Sequence, residues 1–104
     1  MKNNLDHDNC PAIETIALIE GRWKVTILYV LSKHARRFGE ISVRVPSISR
    51  KVLTEQLREL ETDGLISRKQ YKEFPPRVEY ALTEYGESLC PLLAYIAAWN
   101  KEKV

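Results

Sequence analysis

A mainly α-helical domain carrying one small β-hairpin is the fold class this sequence predicts. Three stretches predict it. The run PSISRKVLTEQLRELETDGL at 46–65 has a helix start, a helix stop and two unlike faces. LISRKQY at 65–71 and RVEYAL at 77–82 are rich in β-branched and aromatic residues and partly alternate, with KEFPP at 72–76 between them as a turn. LCPLLAYIAAW at 89–99 holds no charged residue and reads as a helix apolar all round.

Length and composition fit that class. A chain of 104 residues suits one domain, and 44% hydrophobic residues allow a modest core. No apolar run reaches the ~18 residues of a membrane span. The opening MKNNLDHDNC is polar and acidic rather than a signal peptide, and residues 1–9 are expected to form a loose tail. Two cysteines, at 10 and 90, are too few for a disulfide framework, so free thiols in a cytoplasmic protein are the economical reading. The net charge of +2 says little, but its distribution says more. Residues 22–51 hold eight Lys or Arg against one acid, Glu40. Residues 52–64 hold Arg58 against Glu55, Glu59, Glu61 and Asp63. Positive charge thus ends at the first turn of the 46–65 helix, a polarity that suits docking on a polyanion.

In chain order, Cys10-Pro11 opens a first helix, since an early helical position does not need the N–H that proline lacks. Ile13, Ile16, Ala17 and Ile19 or Glu20 follow at helical spacing, and Gly21 breaks the run. A second helix covers roughly Trp23 to Leu31, with Trp23 expected in the core. Ser32–Ala35 is a polar connector. Arg36-Arg37-Phe38 reads as a very short strand or a lead-in to a helix. Phe38, Ile41 and Val45 are spaced for a short third helix ended by Pro46. The next helix, about 49–63, has Ser49 as N-cap and Gly64 as its stop. Val52, Leu53, Leu57 and Leu60 gather on one side; Lys51, Thr54, Glu55 and Arg58 gather on the other, with Arg50 at the edge. Two short helices joined by a tight Pro-Ser turn make a helix-turn-helix arrangement. The two prolines at 75–76 cannot donate ladder hydrogen bonds, so the hairpin of about 65–82 should be stiff and protruding. Thr83 is placed to cap a last helix of about 84–101, where Tyr85, like Tyr80, is expected to pack. Pro91 should bend that helix or lie near its first turn. Leu89, Leu92, Leu93, Ile96 and Trp99 form a stripe, and Ala94, Tyr95, Ala97 and Ala98 leave the other side apolar too. A domain this small rarely encloses such a helix, so a second copy is the expected partner, against the alternative of full burial in one subunit.

A helix with a leucine anchor and a cationic outer stripe suits the major groove of duplex DNA. Ser49, Arg50, Lys51, Thr54, Glu55 and Arg58 are the candidate contacts there. Arg or Lys can pair with guanine, Thr can meet a thymine methyl, and Glu55 either accepts from a cytosine amine or holds Arg58 or Lys51. Arg36 and Arg37, and Lys72 and Arg77 at the hairpin tip, are candidate phosphate contacts, although Arg77 has Glu73 and Glu79 as equally good partners. Cys10, at the positive end of a helix, is a candidate redox or electrophile sensor, the plainer reading being an inert thiol. His7-x-x-Cys10 is only half a metal site, and neither a metal nor a cofactor is expected.

The element order is that of a winged helix-turn-helix domain. In detail the chain resembles the HxlR family of bacterial transcriptional regulators. Cys10-Pro11, GRWKVTIL at 21–28, RRFGEI at 36–41, PSISRKVLTEQLRELETDGLISR at 46–68 and YKEFPPRVEYALTEYGESL at 71–89 carry the likeness. Small departures are Glu20 where a second glycine is common, and Arg50 and Glu55 where glutamine is frequent. The resemblance implies a homodimer on a pseudo-palindromic operator, paired through the first and last helices. Ile13 and Ile16 then join Leu89, Leu92, Leu93, Tyr95, Ile96 and Trp99 at the interface. It also implies that each PPR-bearing wing reaches the backbone or minor groove. In several members a cysteine at the place of Cys10 senses oxidants or electrophiles. Two other readings stay open on the residues alone: a protein–protein module without DNA affinity, and a small thiol enzyme, for which no base or phosphate loop is evident.

Overall fold

The computed structural model describes residues 10–103; the tail expected over 1–9, and His7 with it, lies outside the described residues. α1 (Pro11–Ile19) starts on Pro11, with Cys10 as N-cap and its carbonyl accepting from the Ile13 N–H at 3.0 Å. Gly21 turns the chain at φ +103°, a conformation that suits a residue without Cβ. α2 (Lys24–Lys33) begins one residue later and ends two later than the spacing suggested. Trp23 is its N-cap, half-buried against the core, with the Arg22 guanidinium 4.7 Å from its ring centroid.

Both readings of Arg36-Arg37-Phe38 are realised. Arg36–Arg37 is a strand, β1, and α3 (Phe38–Arg44) follows without a break. At the start of α3 the Glu40 carboxylate accepts from the Arg37 N–H at 2.9 Å. That bond, with the charges of Arg37, Arg36 and Arg44 adding to it, holds the Glu40 carboxyl below the usual carboxylate range. Pro46 ends the helix as expected, and Ser47 turns the chain at φ +72°.

α4 (Arg50–Thr62) is capped at its start and packed along one side. The Ser49 hydroxyl accepts from the Val52 N–H at 3.1 Å, and Leu53, Leu57 and Leu60 are buried at 0%, 2% and 0% exposure. Gly64, at φ +79°, lets the Leu65 N–H return to the Leu60 carbonyl and closes the helix. β2 (Ile66–Tyr71) and β3 (Arg77–Leu82) form the hairpin, with Ile66 opposite Leu82 at the base and Tyr71 opposite Arg77 at the tip. β1 adds a third strand on the far side of β3, pairing Arg36 with Tyr80 and Arg37 with Glu79. All pairs are antiparallel.

The core lies where α2, α3, α4 and the hairpin base meet, and Ile27, Leu28, Ile41, Leu53, Leu60 and Leu65 are almost fully enclosed. α5 (Glu84–Lys103) is anchored from its first turn onward. The Thr83 hydroxyl accepts from the Gly86 N–H and donates to the Gly64 carbonyl, tying the start of α5 to the end of α4. A Cβ on Gly86 would run into the Leu65 carbonyl, so that close approach needs glycine. Pro91 is inside α5, beyond its first turn, and the helix continues to Lys103.

Several expectations change here. Tyr80 packs on the core, but Tyr85 is 53% exposed. The single stripe on the last helix splits in two. Leu89 and Leu93, one turn apart, pack on the chain's own core. Leu92, Tyr95, Ile96 and Trp99 are exposed. α1 buries none of its residues: Leu18 and Ile19 touch the core, Ile13 is half-buried and Ile16 is 53% exposed.

Candidate nucleic-acid interface

The leucine stripe of α4 decides what the opposite side offers. With Leu53, Leu57 and Leu60 inward, the 3.6-residue period turns Arg50, Lys51, Thr54, Glu55 and Arg58 out, and all five are exposed. The Thr54 hydroxyl donates to the Arg50 carbonyl at 2.8 Å, which leaves its methyl and a lone pair facing out. The Arg50 guanidinium lies over the Phe38 ring, 4.7 Å from the centroid, so it is pre-set by α3 rather than loose at the edge of the face. Among the described residues no ion pair joins Glu55 to Arg58 or Lys51.

α4 and the hairpin share a cleft of about 360 Å³. Thr54, Leu57, Arg58 and Glu61 line one wall, Arg68 and Tyr80 the other. The charged face of α4 therefore continues onto β2. Arg68 was missed in the sequence. Strand alternation does put it on the same face as Ile66, but only the docking of β2 along α4 shows that this face meets Thr54 and Arg58.

Two candidate phosphate contacts are corrected. Arg36 is 8% exposed, and its Nε donates to the Val30 carbonyl at 3.4 Å, so its guanidinium closes the end of α2 instead of lying open. Its neighbour Arg37 stays exposed, as strand alternation dictates. Arg77 is paired with both acids considered as partners: Nη1 donates to Glu79 Oε2 at 2.9 Å and Nη2 to Glu73 Oε2 at 3.2 Å. It also stacks over Tyr71 at 4.0 Å. Its charge is spent inside the hairpin, and Lys72 is left exposed beside it.

One buried cation went unassigned in the sequence. Lys24, 7% exposed, reaches Glu59 on α4 with Nζ 2.7 Å from Oε1. Cys10 is half-buried, and the cations that follow α1, Arg22 and Lys24, are engaged with Trp23 and Glu59. Among the described residues no group of His, Cys, Asp and Glu could hold a metal ion.

Comparison with known proteins agrees with this geometry. Residues 18–104 match the family described as HxlR-like helix-turn-helix. The chain is 43% identical over 97 residues to YdeP of Bacillus subtilis (strain 168), an uncharacterised HTH-type transcriptional regulator, covering 93% of this chain and 76% of that protein. The redox regulator HypR in its reduced form superposes with a TM-score of 0.84 at 40% identity, covering 89% of this chain and 92% of that one. The reduced form of the transcriptional regulator YodB from B. subtilis gives 0.80 at 38% identity, covering 86% and 89%, and YodB has also been solved after diamide treatment. These relatives are regulators of transcription rather than enzymes. In element order, motifs and backbone alike, this chain belongs to the HxlR family of winged helix-turn-helix transcriptional regulators.

Proposed function

We propose that the protein binds duplex DNA sequence-specifically as a homodimer, and that oxidants or electrophiles acting on Cys10, or a small ligand, gate that binding. The observation that carries the reading is the outer face of α4. Lys51, Thr54 and Arg58 stand exposed on a helix whose start is capped by Ser49 and whose back is held by three buried leucines. Residues near the N-terminal end of such a helix are those that reach base edges. Arg37, Arg50, Lys72 and Arg68 are then the phosphate or shape contacts around it. Dimerisation is supported by Leu92, Tyr95, Ile96 and Trp99, exposed on one side of α5, with Ile16 of α1 exposed as well.

Two observations bear on the gate. Cys10 caps α1, an element that buries none of its residues fully and meets the core only through Leu18 and Ile19 at its far end. HypR and YodB, both named for or solved in different redox states, carry the same fold. The ligand alternative has an apolar groove of about 800 Å³ between α2 and α5, lined by Tyr29, Cys90, Leu93, Ala94 and Ala97 among others. Work on DNA goes with a cytoplasmic location, and no helix among the described residues is long and apolar enough to cross a membrane.

Selection of bound sequences from a random duplex pool tests the reading. A palindromic pair of half-sites about one helical turn apart is the expected product. With about six phosphate contacts per dimer, log K against log salt should fall with a slope of about −5. Weak, salt-insensitive, unselective binding would revive the protein–protein module. For the gate, Cys10→Ser is titrated with diamide on the selected duplex. Wild type should change affinity with oxidant while the variant does not, and an equal response from both removes Cys10 from the mechanism.

A further inference from the structure

Phe74, at the tip of the β2–β3 hairpin, is 97% exposed, the most of any large apolar side chain among the described residues. One exposed apolar residue on a loose loop is ordinary. This one is carried on a braced arm. Pro75 and Pro76 follow it and lock two φ angles. Directly beneath, Arg77 grips Glu73 and Glu79 and stacks on Tyr71, at the last paired position of the ladder. The brace sets one cation against two carboxylates, and the neighbouring Lys72 offsets the remaining negative charge. The tip therefore presents a phenyl ring and the neighbouring Lys72 ammonium.

The position of the arm follows from the same contacts. β2 begins where α4 ends, with the Leu65 N–H on the Leu60 carbonyl. By Arg68 it has come alongside Thr54 and Arg58. It thus runs back along α4 toward the basic N-terminal end, and the residues from Arg68 to Tyr71 carry the tip about 10 Å further. An arm lying beside a helix in the major groove meets the adjacent minor groove. There, proteins use apolar side chains as wedges between stacked base pairs.

We infer that Phe74 is such a wedge. Its ring enters one base step flanking each half-site, partly unstacks it and bends the duplex away from the wing. The step is chosen by how easily it opens, not by hydrogen bonds, which favours the flexible TA and CA/TG steps. This rests on the DNA-binding reading above.

The experiment uses the full chain and the duplex most enriched from the random pool, with 2-aminopurine placed in turn at each flanking adenine and dyes at the two ends. Wild type should brighten 2-aminopurine at one step per half-site and shorten the end-to-end distance. Phe74→Ala, which removes an exposed ring and should keep the wild-type melting temperature, should lose both signals. Its affinity should drop on the order of a hundredfold, the weight of two base–aromatic contacts, one per half-site, with the salt slope unchanged. Phe74→Leu should keep part of each signal. Lys72→Ala should flatten the salt slope and keep the brightening. If wild type binds the duplex and no step brightens, or Phe74→Ala brightens it equally, the wedge is overturned and DNA binding stands. If wild type does not bind at all, the reading and the wedge fall together.

Discussion

Lys24 is enclosed at 7% exposure, and its ammonium meets Glu59, whose side chain is 56% exposed, at 2.7 Å. The leucines under α4 hold it by burial, which is strong but has no preferred direction. An ion pair between two particular side chains ties one point of α4 to one point of α2. The Lys24–Glu59 pair therefore trims the roll that the leucine stripe sets, and with it the fine aim of Lys51, Thr54 and Arg58. Lys24→Met keeps the buried stem and removes the charge, leaving Glu59 half in water, so stability should change by no more than about 1 kcal/mol. DNA affinity should nevertheless fall on the order of tenfold, and Lys24→Met combined with Glu59→Gln should fall no further than either alone. Melting curves beside titrations of the selected duplex check this; additive losses, or none, would show that the pair does not aim the helix. None of this was legible in the sequence. A lysine opening an amphipathic helix reads as solvated, and only the closing of α4 over α2 buries it. Arg36 and Arg77 misled for the same reason: a cation's partner is set by tertiary contact, whereas the outward turn of Lys51 and Arg58 is set by helical period alone.

At the level of elements the sequence was far more readable, because helices here start and stop on local chemistry. Ser49, Gly64, Thr83 and Pro11 each act within a few residues, and each does what its type predicts. What escaped was pairing between distant segments, namely β1 against β3 and the split of the α5 stripe. Two residues are too few to show a period, and an all-apolar helix has no polar side to orient it. The start of α3 offers a test of local chemistry. Glu40 accepts from the Arg37 N–H, and its carboxyl is held below the ordinary value of 4.5. A lowered folded-state value means that ionised Glu40 adds stability above pH about 4.5, and that this is lost as pH falls through the folded value. Glu40→Gln cannot ionise. Wild type should melt above the variant at neutral pH, and the gap should close as pH is lowered below 4.5. A gap that stays constant with pH would mean that the bond does not depend on the carboxylate charge.

For the whole molecule, the exposed side of α5 is the feature that one chain leaves unfinished. Leu92, Tyr95, Ile96 and Trp99 are 40%, 71%, 47% and 55% exposed along one flank, while Leu89 and Leu93 on another flank hold α5 to its own core. The two jobs are thus separable by substitution. Ile96→Glu places a carboxylate on the exposed flank and leaves Leu89 and Leu93, which dock the helix, in place, so the fold should survive. Between two copies paired there, the same change buries two like charges near a two-fold axis, which costs several kcal/mol unless they are paired. Sedimentation should report twice the 12.1 kDa chain mass for wild type and the chain mass for the variant, at equal helix content. DNA binding reads the consequence. A dimer presents two α4 helices at fixed spacing, so its second half-site is bound as an intramolecular step. A monomer loses that linkage and should bind a palindrome on the order of a hundredfold more weakly, while its affinity for a single half-site stays that of one wild-type arm. If Ile96→Glu remains a dimer with full affinity, the copies pair through another surface, and the flank of α5 must serve a different partner.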